Sequence, residues 1–168
     1  MKLEKIEVKD FQGNPFEMIG NGWMLVAAEK QEKMNAMTAS WGGVGVMWGK
    51  NVVYVVIRQS RFTKEFVDRS DTFSLSFLPG CYRKELNYFG TVSGREEDKI
   101  AKAGLQISHQ GETPYFSEAK TVMLCKKLFA QKLDPSCFLA DWIDEKWYAD
   151  HDYHTLYIAE IENILVAE

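Results

Sequence analysis

The sequence predicts a mainly β fold, an antiparallel barrel that is closed or nearly closed and carries helical insertions. Three observations predict this fold: several segments alternate apolar and polar residues with the period of a strand, helical segments are few and short, and no repeat divides the chain. A chain of 168 residues can bury a substantial core without disulfides or metals. We therefore expect one domain over residues 1–168.

Four strands are predicted in the N-terminal part. Residues 1–8 alternate charged and apolar residues, without the continuous apolar run of a signal peptide or membrane span, and predict an edge strand. Residues 23–29 predict a buried strand that pairs, as a hairpin, with the alternating residues 34–41. Glycines at 42, 43 and 45 break the pattern before residues 51–57. This β-branched run is the best candidate for a central strand.

Next, a short helix capped by Thr63 and running to Arg69 is expected, because Phe62 and Val67 have the spacing of a hydrophobic staple around such a cap. Residues 72–78 alternate and predict another strand. Residues 83–89 and 96–103 predict short helices, the second ending at Gly104.

The C-terminal part predicts two further strands around an irregular segment. Residues 121–129 read as a long strand, and residues 154–166 alternate as expected for a closing strand. Between them, residues 135–147 predict a helical excursion rich in aromatic side chains.

Charge and composition exclude some functions. The net charge of −4, with dispersed basic residues, offers no basic surface for DNA or RNA. The 13% aromatic content indicates either a well-packed core or surface that a partner subunit or flat ligand covers. Three cysteines without metal-ligand spacing predict free thiols in a reducing compartment, hence the cytoplasm: Cys81, Cys125 and Cys137.

A strand of small polar residues forms the first half of a candidate ligand site. Small side chains let the backbone approach a ring edge that presents carbonyl and N–H groups. Trp41 either packs near that ring or belongs to the core. The predicted ring-binding residues are Asn35, Met37, Thr38, Ala39, Ser40 and Trp41.

Cations and hydroxyls at the start of the predicted helix form the second half. They follow the strongest strand and precede a helix N-terminus, which suits a phosphate monoester, although such a loop can also be merely solvated. The predicted phosphate-binding residues are Arg58, Ser60, Arg61, Thr63 and Lys64. Together the two halves suit a ligand with a polar aromatic head and an anionic tail, as in flavin mononucleotide (FMN).

Further candidates lie in two other segments. Ser93 and Gly94 lie in a loop that either contributes a hydroxyl to the ligand or, through Ser93, caps the next helix. His154 and, less so, His151 precede the last strand; either lies beside a cofactor or is an ordinary surface or core histidine. No dinucleotide-binding, P-loop or serine-hydrolase motif occurs, and the histidines and cysteines form no recognisable metal site.

Five segments, in order over roughly residues 20–166, resemble the flavin reductase-like family of FMN-binding split-barrel proteins. They are Asn35-x-Met37-Thr38-x-Ser40-Trp41, Arg58-x-Ser60-Arg61-Phe62-Thr63, Phe73-Ser74-Leu75-Ser76-Phe77-Leu78, Phe89-Gly90-x-x-Ser93-Gly94-Arg95-x-x-Asp98-Lys99 and His154-Thr155-Leu156-Tyr157-Ile158-Ala159-Glu160-Ile161. The resemblance implies a split β-barrel with antiparallel, Greek-key-like strands and a homodimer with FMN near the interface. It also implies that Ser93, Gly94 and His154 lie near the flavin.

The resemblance implies an NAD(P)H:flavin oxidoreductase that passes hydride from NADH or NADPH to flavin N5 and electrons on to a flavin, oxygen or a protein acceptor. Two alternatives stay open: a non-catalytic, flavoredoxin-like FMN carrier, and a split barrel that binds haem or a deazaflavin. The sequence also leaves open whether the aromatic residues 135–150 cover the flavin or pack against a partner subunit. No membrane partner is expected.

Overall fold

The computed structural model describes residues 2–168, so the prediction for Met1 lies outside it. The strands are β1 (Leu3–Ile6), β2 (Met24–Lys30), β3 (Lys33–Ala39), β4 (Gly42–Met47), β5 (Lys50–Arg58), β6 (Thr72–Phe77), β7 (Ile107–Gln110), β8 (Thr113–Phe116), β9 (Thr121–Lys132) and β10 (His154–Ala167). The α-helices are α1 (Phe62–Arg69), α2 (Arg83–Thr91), α3 (Lys99–Ala103) and α4 (Asp141–Trp147). Single turns of 3₁₀-helix cover Val8–Asp10, Gly80–Tyr82 and Pro135–Cys137, and a π-helical turn covers Phe16–Gly22.

One antiparallel sheet contains most of the strands, in the order β3-β2-β6-β9-β10-β5-β4, and β1 pairs with the C-terminal end of β10. β7 and β8 form a separate hairpin. Within residues 2–168 the two end strands, β3 and β4, do not pair with each other, so the barrel is open rather than closed. The predicted mainly β, split-barrel fold with helical insertions is confirmed.

Most predicted strands are present. β2 and β3 form the expected hairpin, β5 lies inside the sheet between β4 and β10, and β6 and β9 pair along their length. β10 is less a closing strand than a central one, because it pairs with β5, β9 and β1 in turn. Its length lets it join both halves of the sheet.

The glycine-rich segment that was expected to break the pattern is instead β4, which pairs with β5. A Cβ atom at Gly42 would overlap the carbonyl oxygen of Tyr54, and one at Gly43 would overlap the Tyr54 ring. The absence of side chains therefore lets β4 lie against β5 at these positions. The π-helical turn and the β7–β8 hairpin were not predicted from the sequence.

The predicted cap of α1 is wrong. The helix begins at Phe62, and Arg61 holds the N-cap position without a side-chain hydrogen bond. Thr63 lies inside the first turn, where its buried Oγ1 accepts a hydrogen bond from Asn35 Nδ2 at 2.9 Å. Because a buried amide requires a partner, the hydroxyl satisfies Asn35 rather than the helix end. Because Arg61 is the N-cap, Phe62 and Val67 do not have the positions of a hydrophobic staple, and Phe62 packs edge-on against Phe66.

The next helices are shorter or longer than expected. α2 extends to Thr91, whereas α3 begins only at Lys99, because the Asp98 carboxylate accepts from the backbone N–H of Ala101 and caps it there. Gly104 is the left-handed C-cap, as predicted. The excursion after β9 is helical in part, through Pro135–Cys137 and α4. Among the described helices, none is both long and apolar enough to cross a membrane.

Two apolar clusters lie on opposite faces of the sheet. In β2, Met24 and Val26 belong to the cluster that also holds Phe73, whereas Leu25 belongs to the other. The second cluster includes Leu86 and Phe89 of α2, so α2 packs over the outer face of the sheet. This packing brings the C-terminal end of α2 next to the start of α1, where Arg61 bonds to it.

Candidate functional site

Two adjoining cavities lie where β3, β5 and β10 meet the start of α1. The larger, named here the aromatic cavity, has a volume of about 400 Å³, within the usual range for small-molecule sites. Its lining residues are Met37, Thr38, Ala39, Ser40, Trp41, Val56, Arg58, Arg61, Trp147 and His154. The structure thus gathers five of the six predicted ring-binding residues, together with His154, around one space.

The smaller cavity, named here the basic cavity, has a volume of about 180 Å³. Its lining residues are Ser60, Arg61, Phe62, Thr63, Thr91, Val92, Ser93, Gly94 and Lys99. Arg61 lines both cavities, so they meet at its side chain. The first turn of α1 borders the basic cavity, and helix N-terminal N–H groups lack partners within the helix.

Two cations line the basic cavity, Lys99, which is buried, and Arg61, which is half-buried. The Arg61 guanidinium donates to the carbonyl oxygens of Gly90 at 2.7 Å and Phe89 at 3.2 Å. The Lys99 ammonium, in a residue only 3% exposed, donates to the carbonyls of Val92 at 3.0 Å and Phe89 at 3.2 Å. Within residues 2–168, neither cation has a carboxylate as its ion-pair partner.

Burial lowers the pKa of both cationic groups. Loss of solvation lowers the pKa of Arg61, and burial together with the Arg61 cation lowers the pKa of Lys99 to about 8. The carbonyls at the end of α2 provide only partial negative charge. Two poorly solvated cations without a carboxylate partner make this cavity suited to an anion.

The loop at Ser93 and Gly94 closes one side of the basic cavity. A Cβ atom at Gly94 would overlap the Asn35 carboxamide, so the close approach of this loop requires glycine. Asn35 itself lies behind the wall, bonded to Thr63. Asp98, and not Ser93, caps α3. The Ser93 Oγ accepts a hydrogen bond from the backbone N–H of Arg95 at 3.2 Å.

Aromatic side chains border the larger cavity. Trp41 follows β3 and is partly exposed, so it lines the cavity rather than filling the core. Its ring lies edge-on to Trp147, with centroids 4.8 Å apart, and 5.1 Å from the His154 ring. Thr38 Oγ1 donates to the Leu86 carbonyl at 2.6 Å and ties β3 to α2.

His154 is neutral at pH 7 in this setting. It is 8% exposed, and burial together with the Arg58 cation lowers its pKa to about 4. Its Nδ1 lies 2.8 Å from the Tyr148 hydroxyl. When that hydroxyl donates to Nδ1, the single ring proton is on Nε2, which can then donate a hydrogen bond. His151 is exposed and does not line the cavity.

Two of the predicted phosphate-binding cations do not line the basic cavity. Arg58 lines the aromatic cavity and bonds to the segment before β10, while Lys64 Nζ pairs with Asp68 Oδ2 at 2.7 Å, one turn along α1. Lys99 and Trp147 were not predicted from the sequence as site residues. Lys99 is the last residue of the family-like motif that begins at Phe89, so that motif could have identified it. No comparable signal marks Trp147 within the aromatic-rich segment.

Comparison with known proteins identifies one family and several similar structures. Residues 16–168 match the model of the flavin reductase like domain. No curated protein matches significantly.

The fold is similar to three solved structures in particular. An FMN-binding domain of a flavin reductase-like enzyme from Shewanella baltica has a TM-score of 0.71 at 18% identity, covering 98% of this chain and 77% of that one. Flavoredoxin from Methanosarcina acetivorans has 0.68 at 20% identity, covering 88% and 69%. An NADH:FAD oxidoreductase from Streptomyces globisporus has 0.64 at 15% identity, covering 87% and 74%.

Proposed function

The chain belongs to the flavin reductase-like family, and we propose that it binds FMN and acts as an NAD(P)H:flavin oxidoreductase. Hydride would come from NADH or NADPH, and electrons would pass to a second flavin, oxygen or a protein acceptor. We also propose that residues 1–168 form one FMN-binding domain.

The observation that carries the proposal is a pair of cations, buried Lys99 and half-buried Arg61, beside a cavity with aromatic walls. A phosphate monoester bears about −1.5 to −2 charge at pH 7 and three strong acceptor oxygens. The basic cavity offers the two cations, the hydroxyls of Thr91 and Ser93, and the first turn of α1. The groups that line this cavity therefore match a phosphate group better than a carboxylate or a neutral ligand.

The aromatic cavity supports the ring end of the same ligand. The backbone and small side chains of residues 38–40 would face the ring edge, and Trp41 and Trp147 would exclude water from its surroundings. Neutral His154 would donate a hydrogen bond from Nε2 without adding charge to the cavity. Bound FMN would itself supply the hydride and electron chemistry. The NADH-dependent relative from Streptomyces globisporus supports a nicotinamide donor.

We also propose a homodimer with FMN near its interface. Exposed apolar side chains lie at the end of β4, in the turn that follows it and on β9, and the rings of Trp48 and Phe129 meet across these elements with centroids 6.2 Å apart. We name this pair, with its exposed sequence neighbours Val46, Met47 and Leu128, the apolar patch. A contiguous exposed apolar surface is one that a partner can cover. The three free cysteines support a cytoplasmic location.

The test is an absorption spectrum and a stopped-flow experiment on the purified protein. We expect flavin absorption, or a gain in thermal stability on adding FMN, followed by bleaching of the flavin on mixing with NADH or NADPH. A colourless protein that FMN does not stabilise would refute the proposal.

The second candidate is a non-catalytic FMN electron carrier. It is supported by the similarity of the fold to flavoredoxin from Methanosarcina acetivorans. It predicts bound FMN that neither NADH nor NADPH bleaches and that a reduced protein partner can reduce.

A further inference from the structure

The segment between β9 and β10, residues 133–153, is held to the barrel in an unusual way and is named here the cap. None of the residues of α4 is buried, and the side chains of Leu139 and Trp142 are largely exposed. The apolar anchor of the cap is Tyr148, which is buried, stacks against Phe138 and Tyr153 within the cap, and lies edge-on to His154 of β10 with centroids 5.5 Å apart. A segment with so few buried apolar contacts opens at low free energy unless other bonds hold it.

Polar bonds from the end of β5 provide that hold. Arg58 Nη2 donates to the carbonyl of Trp147 at 2.7 Å, and Nη1 donates to the carbonyl of Asp152 and to the carboxylate of Asp150, both at 3.2 Å. The Arg58 guanidinium also lies over the Tyr148 ring, 5.4 Å from its centroid. One side chain therefore binds the cap at four residues.

The next two residues along the chain strengthen this attachment. Ser60 donates to the Asp152 carboxylate from its hydroxyl at 2.5 Å and from its backbone N–H at 3.1 Å. Gln59 Nε2 donates to the carbonyl of Tyr153 at 3.1 Å. All of these partners lie in the last part of the cap, just before β10, so the end of β5 fixes how the cap returns to the sheet.

The attachment also fixes a wall of the aromatic cavity. Arg58 holds the backbone of Trp147, whose indole lines the cavity edge-on to Trp41. Because the guanidinium already donates to three cap residues and does not line the basic cavity, it is engaged away from the anion site. A loosened cap would move Trp147 and remove one wall of the aromatic cavity.

We propose that Arg58 is a positioning residue that latches the cap in place at the edge of the aromatic cavity, and that release of this cap controls entry and exit of the flavin. The inference rests on the proposed function in one respect, the identity of the ligand as a flavin. It assigns Arg58 to the ring end of the site, in contrast to the phosphate role that its place in the sequence predicts.

The first experiment compares Arg58→Gln with the wild type in stopped-flow fluorescence of FMN and of riboflavin, which has the same ring but no phosphate. We expect the association and dissociation rate constants of both flavins to rise about tenfold, the scale of losing charge-assisted hydrogen bonds in an opening equilibrium. An effect confined to FMN would overturn the latch and return Arg58 to the phosphate. Lys99→Gln serves as the comparison that should weaken FMN alone, because Lys99 lines the basic cavity and not the aromatic one.

Hydrogen exchange of the ligand-free protein is an independent readout. The amides of residues 141–153 should exchange about tenfold faster in Arg58→Gln than in the wild type. Arg69→Gln is the matched control, since Arg69 is exposed at the end of α1 and takes no part in these bonds. Unchanged exchange would overturn the latch, even if wild-type protein bound neither flavin and the proposed function had failed.

Discussion

Lys99 shows how much a single side chain adds to the candidate anion site. Its ammonium is buried, donates only to carbonyl oxygens and lies near another cation, Arg61. Burial and the neighbouring Arg61 cation raise the free energy of the charged form in the ligand-free protein, and the bonds to carbonyl oxygens offset this only in part. An anion in the basic cavity would compensate both cations at once.

Replacing Lys99 therefore tests the phosphate end of the site. We expect Lys99→Met to weaken FMN binding about tenfold or more, since a charge-assisted hydrogen bond contributes about 1.5–3 kcal/mol, and to leave riboflavin binding unchanged. Fluorescence titration with both flavins measures this. Lys102→Met is the control, because Lys102 lies on the same helix but pairs with Glu97 at the surface. Equal losses for FMN and riboflavin would contradict the assignment.

The same lysine should give FMN affinity a characteristic pH dependence. Its folded pKa of about 8 lies below the ordinary 10.5, so the ligand-free site loses its cation as the pH rises through 8 and FMN affinity should fall. Between these values Lys99 binds more protons in the unfolded chain, so its contribution to the stability of the ligand-free protein rises with pH. FMN titration and urea unfolding from pH 7 to 10, each compared between the wild type and Lys99→Met, should show both trends as a difference between the two proteins. The comparison is needed because burial raises the pKa of Cys125, whose titration in the same range has the opposite effect on stability and is common to both proteins.

At the scale of elements, β4 shows a strand formed because side chains are absent. Val44 and Val46 alternate with glycine, and pairing with β5 overrides the low strand propensity of glycine. The start of α1 shows the opposite case. Thr63 has the sequence context of a helix cap, yet its hydroxyl accepts a hydrogen bond from Asn35 instead. In both elements a contact distant in sequence decides the local structure.

Substitutions in β4 test this interpretation. We expect Gly42→Ala to lower the free energy of unfolding by about 1–3 kcal/mol, because its Cβ would overlap the backbone of Tyr54 and force a shift. Gly45→Ala in the same strand meets no atom within 4 Å and should change stability by less than about 0.5 kcal/mol. Urea denaturation of both variants measures the difference. Equal effects would mean that the strand approach does not depend on Gly42.

At the scale of the whole molecule, the apolar patch is the surface that a second copy would cover. Val46→Glu, at a side chain 74% exposed in the single chain, should leave the fold intact and convert the proposed dimer to monomers, because dimerisation would bury the charge. Light scattering after gel filtration measures the mass. Ile107→Glu, on the β7–β8 hairpin away from the patch, should remain dimeric. A dimeric Val46→Glu would remove the patch from the interface.

Much of the fold could be predicted because its strands are long and either alternate, as in β3 and β10, or form continuous apolar or β-branched runs, as in β2 and β5. The candidate site was only partly predictable. Residues 37–41 occupy one strand and its continuation, so sequence proximity kept them together around one cavity. Arg58 and Lys64 belong to the same short segment as Arg61, yet their side chains point to different partners. Spacing along the chain does not reveal the direction of a side chain at a strand end or a helix start.

The sequence by itself determined the strand pattern, the family resemblance and the residue types available for a flavin, because these depend on local periodicity and on motifs of neighbouring residues. Only the tertiary structure decided which cations face an anion. It brought Lys99 next to Arg61 through the packing of α2, and it engaged Arg58 with the cap through the pairing of β5 with β10. Long-range contacts choose among side chains that the local sequence treats alike.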